Sequence, residues 1–178
     1  MKGENNMFDE MVTRRSIRKY QDRPITTIQL DKILAAGQFA PTGKNKREWE
    51  FLVVEGKGNL KKLSKTRKCG SSMLEGAAAA IVIMAQPEES DTWIEDCSIS
   101  MAYMHLMASS LGLGSCWIQV RNRNHSDTVS SEDYLKAEFD ILVNYSPLAI
   151  LSLGWPDETK EPHTFDEVKK EKVHYEKF

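Results

Sequence analysis

Cysteine is scarce in this chain, with three in 178 residues at Cys69, Cys97 and Cys116. The count is odd and no C-x-x-C occurs, which argues against a disulfide framework or a zinc site and fits a reducing cytoplasm. The four histidines are scattered without metal-ligand spacing, so no metal is expected. No pattern resembles a Ser/His/Asp or Cys/His nucleophile system. Long apolar runs are missing too. The longest, Ala77 to Ala85, falls far short of the roughly 20 residues that span a bilayer. The opening Met1 to Asp9 is polar and lacks the apolar centre of a secretory signal. Neither sign of charge dominates. With 24 Lys and Arg against 26 Asp and Glu, the net charge of -2 creates no strong field toward nucleic acid or an anionic membrane. An enzyme with these gaps borrows its chemistry from a cofactor.

What is present is ordinary for a globular protein: 40% hydrophobic and 28% charged residues. The length suits one domain over 1–178, with 160–178 as an extended, strongly charged tail. Met7 to Arg15 reads as a short helix followed by an extended stretch up to Pro24. Thr26 and Gln29 have capping-box spacing and open a helix that ends at Pro41. Glu50 to Glu55 reads as a strand, Asn59 to Lys68 as an amphipathic helix, and Ala78 to Ala85 as a buried strand. Beyond a long helix, Ser115 to Arg121 reads as a strand. Ser130 and Asp133 cap a helix to Phe139, and Leu148 to Leu153 is the last strand. The tail after Gly154 has no obvious place in its own core, so it is either disordered or wrapped on another subunit.

The long helix, Thr92 to Leu111, is the most informative segment. Ile94, Cys97, Met101, Met104, Ala108 and Leu111 form one apolar face; Ile99, Ala102, Tyr103, Leu106 and Met107 form a second. A helix apolar nearly all round needs cover on both sides. That cover comes from a partner subunit or from the monomer's own core. Gly112 stops the helix.

Four short stretches are candidates for chemistry. In Arg14-Arg15-Ser16-Ile17-Arg18, the arginine forks and the hydroxyl suit phosphate, and extended alternation puts Ser16 and Arg18 on one side. A solvated basic run at a helix end fits the same residues. Ala40-Pro41-Thr42-Gly43-Lys44-Asn45 allows backbone to approach a flat ligand, with Asn45 able to pair with a ring edge; the alternative is an ordinary helix-ending turn. Gly112-Leu113-Gly114-Ser115-Cys116-Trp117-Ile118-Gln119 leads from helix to strand through two glycines, so backbone amides could face a ligand. Trp117 either stacks there or belongs to the core. Last comes Gly154-Trp155-Pro156 with Lys160 and His163, either a phosphate contact or a solvated tail. Cys97, Cys116 and His105 read as core residues.

In this order, the segments resemble the nitroreductase family. Arg-Arg-Ser-x-Arg, the proline-to-asparagine loop, a helix into Gly-Leu-Gly-x-Cys-Trp and a Gly-aromatic-Pro after the last strand carry the resemblance over nearly the whole chain. It implies an α+β fold with a mostly antiparallel sheet flanked by helices. It also implies an intertwined homodimer whose C-terminal tail crosses to the partner, with FMN at the interface and NADH or NADPH as donor. By the same resemblance, Arg14, Arg15 and Ser16 hold the FMN phosphate and ribityl region, and Arg18 lies at the pyrimidine edge and stabilises charge on the flavin. Pro41, Thr42, Gly43 and Asn45 reach the flavin from the other subunit. Trp117, Ile118 and Gln119 line the ring, while Lys160 and His163 fall near the phosphate. No side-chain acid or base is required. The implied activity is electron transfer to a nitroaromatic, quinone or similar acceptor by a ping-pong scheme. The alternative is a non-catalytic flavin-binding or sensing dimer. The chain departs from the family pattern in Thr42-Gly43, in Lys46-Arg47-Glu48 where many members have Gln-Pro, and in His163 in place of arginine.

Overall fold

Every residue of strand β2 (Ala79–Ala85) is buried. The computed structural model describes residues 7–178, so the first six positions of the polar opening lie outside the described residues. A strand without a polar face must be covered on both sides and flanked on both edges. β2 pairs antiparallel with β1 (Trp49–Glu55) and with β4 (Ser146–Gly154), and β4 pairs antiparallel with β3 (Gly114–Gln119). The order β1-β2-β4-β3 leaves β1 and β3 at the edges. Between Ile83 and Met84 the β2/β4 register shifts at Pro147, a bulge that accommodates a residue without an N–H.

Alternation along β2 divides the core. Ile81 and Ile83 join Met101, Met104 and Ala108 of α4 (Trp93–Ser110), together with Leu30 and Ile33 of α2 (Thr27–Gln38). Val82 and Met84 face the other way. They join Leu60 and Leu63 of α3 (Lys57–Leu63) and Leu135 of α5 (Ser131–Phe139). The α+β architecture expected from the sequence is thus realised as helices on both faces of a four-stranded antiparallel sheet.

Local chemistry explains most boundaries. Thr26 and Gln29 form the expected capping box at the start of α2, and Ser130 accepts from the Asp133 N–H at the start of α5. The helix expected over Asn59–Lys68 is shorter, because α3 ends at Leu63. There the Thr66 hydroxyl turns back to the Leu63 carbonyl, and Ser71 bonds both the Arg67 N–H and the Ser64 carbonyl. Such local side-chain bonds compete with helix continuation. Gly112 ends α4 as expected: it adopts φ 74°, its N–H reaches Ser109 O, and the Leu113 N–H reaches Ala108 O.

The helix α1 (Met7–Thr13) packs beside α4. The tail does not enter the core. It passes along α1, with the His163 N–H on Val12 O and Phe165 stacked on Phe8, and Val173, Tyr175 and Phe178 are exposed. Among the described residues, no helix is long and apolar enough to cross a membrane. Ile83 is fully buried at the sheet centre, whereas Ile28 on α2 is 68% exposed. Ile83→Ala should therefore lower unfolding free energy by about 3 kcal/mol and Ile28→Ala by roughly 0.5 kcal/mol or less, as read from urea denaturation midpoints.

Candidate active site

The segment leaving α1 lies across the ends of β3 and β4. Ser16 forms a bridge with Ser115, and the Ile17 N–H donates to Ser115 O at 3.0 Å. Ile17 is buried where Gly114 has no side chain; a Cβ there would stand 2.8 Å from the Ile17 Cβ. Gly154, the register partner of Gly114, receives the Tyr20 ring in the same way, with a Cβ 2.8 Å from Tyr20 Cδ1. The Tyr20 hydroxyl lies 2.6 Å from Ile17 O and 2.7 Å from Ser152 Oγ. Burial raises its pKa, so it stays protonated in these bonds. The second glycine of the Gly112–Gly114 pair therefore serves Ile17 rather than opening backbone to a ligand. Ile17 points inward while Ser16 and Arg18 remain accessible, the alternation expected from an extended strand.

This docking creates a cavity of about 330 Å³ lined by Arg14, Arg15, Ser109, Ser115, Glu158 and Lys160, among others. No ion pair forms between Arg14 or Arg15 and a carboxylate among the described residues; Arg15 instead donates to the Glu161 carbonyl. Glu158 is already engaged. It accepts from the Arg18 N–H at 2.6 Å and the Lys19 N–H at 3.2 Å, and it pairs with Lys160 at 3.0 Å. The Arg18 N–H above all, and then Lys160, hold its pKa down to about 2. His105 lies beneath the cavity, buried, with Nδ1 2.8 Å from Ser115 Oγ. Burial, and then Arg14, push its pKa down to about 4, so it is neutral at pH 7 and the cavity's positive charge is arginine and lysine. Glu10 also lines the cavity and Glu167 lies close enough to feel Arg15, but neither arginine is ion-paired within 4.0 Å among the described residues, which leaves their forks open to an anion with several acceptor oxygens.

Glu158 and His105 were not among the residues singled out for the site, and Ser115 entered only as part of the Gly112–Gln119 stretch. Glu158 reaches Arg18 across 140 positions of chain, and no local spacing signals that. His105 carried a weak signal as a histidine within the apolar run from Met101 to Ala108.

The loop Pro41–Asn45 lies elsewhere. The Gly43 N–H donates to Asp96 Oδ1 at 2.9 Å, and a Cβ on Gly43 would stand 2.2 Å from Thr92 Oγ1. Lys44, Asn45 and Arg47 are all left-handed, at φ 55°, 53° and 53°. Asn45 Oδ1 accepts from Arg47 Nε at 3.1 Å, and Thr42 Oγ1 accepts from the Arg47 N–H at 3.3 Å. The loop thus sits at the first turn of α4, by Asp96, while the basic cavity includes Ser109 in its last turn. Thirteen helical residues separate these by roughly 20 Å. Within one chain the loop and the basic cavity do not meet.

Trp117 and Gln119 are half-buried and joined by Trp117 Nε1–H to Gln119 Oε1 at 2.9 Å. Ile118 is 1% exposed in the core on the opposite face, so its side chain does not line a site. Because Ser115 O points away from β4 toward Ile17, alternation turns the N–H and C=O groups of Trp117 and Gln119 toward the same open edge. His163 is drawn off by Glu167, 2.8 Å from its Nδ1. Of the tail residues, Lys160 lines the cavity.

The Nitroreductase family model matches residues 11–68 and 58–155. An FMN-dependent nitroreductase from Clostridium difficile R20291 superposes with a TM-score of 0.94 at 44% identity, over 96% of this chain and 99% of that one. A nitroreductase family protein from Clostridium difficile 630 gives 0.78 at 28% identity, over 98% and 100% of the two chains. A curated relative from Archaeoglobus fulgidus, provisionally named NADH dehydrogenase/NAD(P)H nitroreductase, is 37% identical over 93% of this chain and 95% of its own. The FMN reductase [NAD(P)H] of Bacillus subtilis is 25% identical over 85% of this chain and 66% of its own. The family model spans most of the sequence and the sheet, helices and connections coincide with solved members, so this chain belongs to the nitroreductase family.

Proposed function

We propose that this protein is an FMN-dependent oxidoreductase that takes electrons from NADH or NADPH and delivers them to a nitroaromatic, quinone or similar small acceptor. The observation that carries this reading is the basic cavity at the open edge of β3, where neither Arg14 nor Arg15 is ion-paired with a carboxylate among the described residues. Its donor set fits a phosphate monoester, and the outward N–H and C=O groups of β3 suit the polar edge of a flat ring. The names of the Clostridium difficile R20291 and Bacillus subtilis relatives support FMN, and the latter supports NAD(P)H.

FMN, when bound, supplies the two-electron chemistry. Arg14, Arg15, Ser16 and Lys160 hold the phosphate and ribityl end. Exposed Arg18 stands two residues further along the same side, where a fixed guanidinium favours the negative charge that grows as a hydride equivalent arrives. The neutral His105 leaves that electrostatic role to the arginines.

The other half of the site comes from a second copy of the chain. One face of α4 is buried in the sheet, as expected. The second is open: Ile99 is 38% and Tyr103 42% exposed, and Leu106 and Met107 line an apolar cavity of about 400 Å³ with Met7 and Met11 of α1. Two copies packed on this face about a two-fold axis perpendicular to α4 run their α4 helices antiparallel. The first turn of one helix, with its Pro41–Asn45 loop, then lies beside the last turn of the other, with its basic cavity. Thr42, Gly43 and Asn45 complete the partner's site, and the exposed tail crosses onto the partner. The three free cysteines suit a cytoplasmic protein.

Arg14→Ala should weaken FMN binding about 30-fold, or ~2 kcal/mol for a lost charge-assisted contact, and leave riboflavin affinity unchanged. Equal losses for both flavins would rule out the phosphate role. Arg18→Ala should keep FMN affinity within a few-fold and slow anaerobic reduction by NAD(P)H about tenfold. Initial rates over a grid of donor and acceptor should give parallel double-reciprocal lines, because one pocket serves both in turn; converging lines would reject the shared pocket. Arg14→Ala and Asn45→Ala homodimers should each bind FMN poorly. A heterodimer of the two, purified with different tags, should recover about one tight site, since one of its sites carries neither lesion. A verified heterodimer without a tight site would exclude a composite architecture.

A further inference from the structure

Glu48 follows directly on the loop that Gly43 ties to Asp96. It is 7% exposed, and neither of its carboxylate oxygens has a hydrogen-bond partner. Its own N–H and the Ser90 hydroxyl lie near it but outside good hydrogen-bond geometry, and a buried ionised carboxylate so poorly compensated is strongly unfavourable. The cations of its own loop are engaged elsewhere. Lys44 pairs with Asp91 at 3.5 Å, Lys46 donates to Glu89 O at 2.5 Å, and Arg47 donates to Asn45. The groups that face Glu48 are Asp96 and Cys97 of α4 and the Ser90 hydroxyl. Asp96 is itself buried, accepting from the Gly43 N–H and, at 2.9 Å, from the Thr92 hydroxyl. Burial, then Glu48 and Asp96, push the Cys97 thiol up to about 12, so it adds no charge. Two acids and no base therefore share one enclosed space. A protonated Glu48 becomes a donor, and each Asp96 oxygen has a lone pair beyond those already used.

We propose that Glu48 and Asp96 hold a single proton between them, and that this proton latches the Thr42–Arg47 loop onto the first turn of α4. With the proton present, Glu48 donates to Asp96 while Asp96 keeps the Gly43 N–H. Without it, two carboxylates confront each other out of water; Glu48 relieves this by turning toward solvent, and because it adjoins Arg47 that movement draws the loop off the first turn of α4. Burial raises the Glu48 pKa above its ordinary 4.5 and Asp96 raises it further, against the opposing pull of the Glu48 backbone N–H and the Ser90 hydroxyl. The latch is therefore complete below the ordinary glutamate value and is lost as pH rises through the raised one. Its effect on cofactor rests on the reading that this loop serves the partner's FMN. FMN binding then weakens by up to about tenfold per pH unit above that pKa.

The test uses the full-length protein. Carboxyl ¹³C NMR, with Glu48→Gln to assign the signal, reads the proton directly, and FMN titrations from pH 6 to 9 read the consequence. Glu48 should titrate above the usual glutamate range, and FMN affinity of the parent protein should fall with pH. The neutral amide of Glu48→Gln should flatten that fall. Asp96→Asn keeps an acceptor for Gly43, removes the opposing charge and should return the Glu48 titration toward its ordinary value; this variant decides the matter if Glu48→Gln fails to fold. An ordinary Glu48 titration overturns the proposal, as does a Glu48→Gln profile that tracks the parent. So does displacement of the proton by millimolar magnesium or calcium, which would make the pair a cation site. A raised titration in a protein that binds no FMN supports the latch and overturns the flavin reading instead.

Discussion

An 18-residue helix that is apolar on two sides makes a demand one small chain meets only in part. The sheet and α2 take one face of α4, burying Cys97, Met101, Met104 and Ala108 completely. The other face keeps Tyr103, Leu106 and Met107 around an apolar hollow. Contiguous apolar surface of this kind marks an association site. The helix also sets how far apart two of the candidate stretches lie: its first turn holds the loop at Gly43, and its last turn borders the basic cavity. If loop and cavity serve one ligand, as proposed, their separation along a rigid rod calls for the same pairing of two copies as the hydrophobic face.

The basic cavity depends on a different economy of space. Gly114 and Gly154, partners across β3 and β4, leave two gaps at the sheet end, and Ile17 and Tyr20 fill them. The segment they anchor then has its arginines and Ser16 directed away from the core. Glu158 fastens the same segment from the tail side through the backbone of Arg18 and Lys19. Cations held by buried apolar anchors need little rearrangement when an anion binds, which favours affinity. At the other end of α4, the uncompensated Glu48 places a titratable element beneath a loop whose backbone is already in left-handed conformations.

Patterns confined to a few residues were legible in the sequence. The period-two and helical repeats, the Thr26–Gln29 and Ser130–Asp133 caps and the Gly112 stop determined which segments become strands or helices, because each rests on contacts within about four residues. The ordered short motifs likewise determined the family. Other features needed the folded chain. Ile118 sits in a promising motif, yet strand parity sends its side chain into the core. His163 lies near the expected position but is captured by Glu167. Gly114 looked like an opening for a ligand and is filled by Ile17. Glu158 and the Glu48–Asp96 pair join residues distant in sequence, and only tertiary packing decides such neighbours and the burial that shifts their protonation. Sequence alone determined the elements and the family because those signals are local. Which side chains share a cavity was decided by the tertiary structure, because burial and long-range proximity are properties of the packed chain.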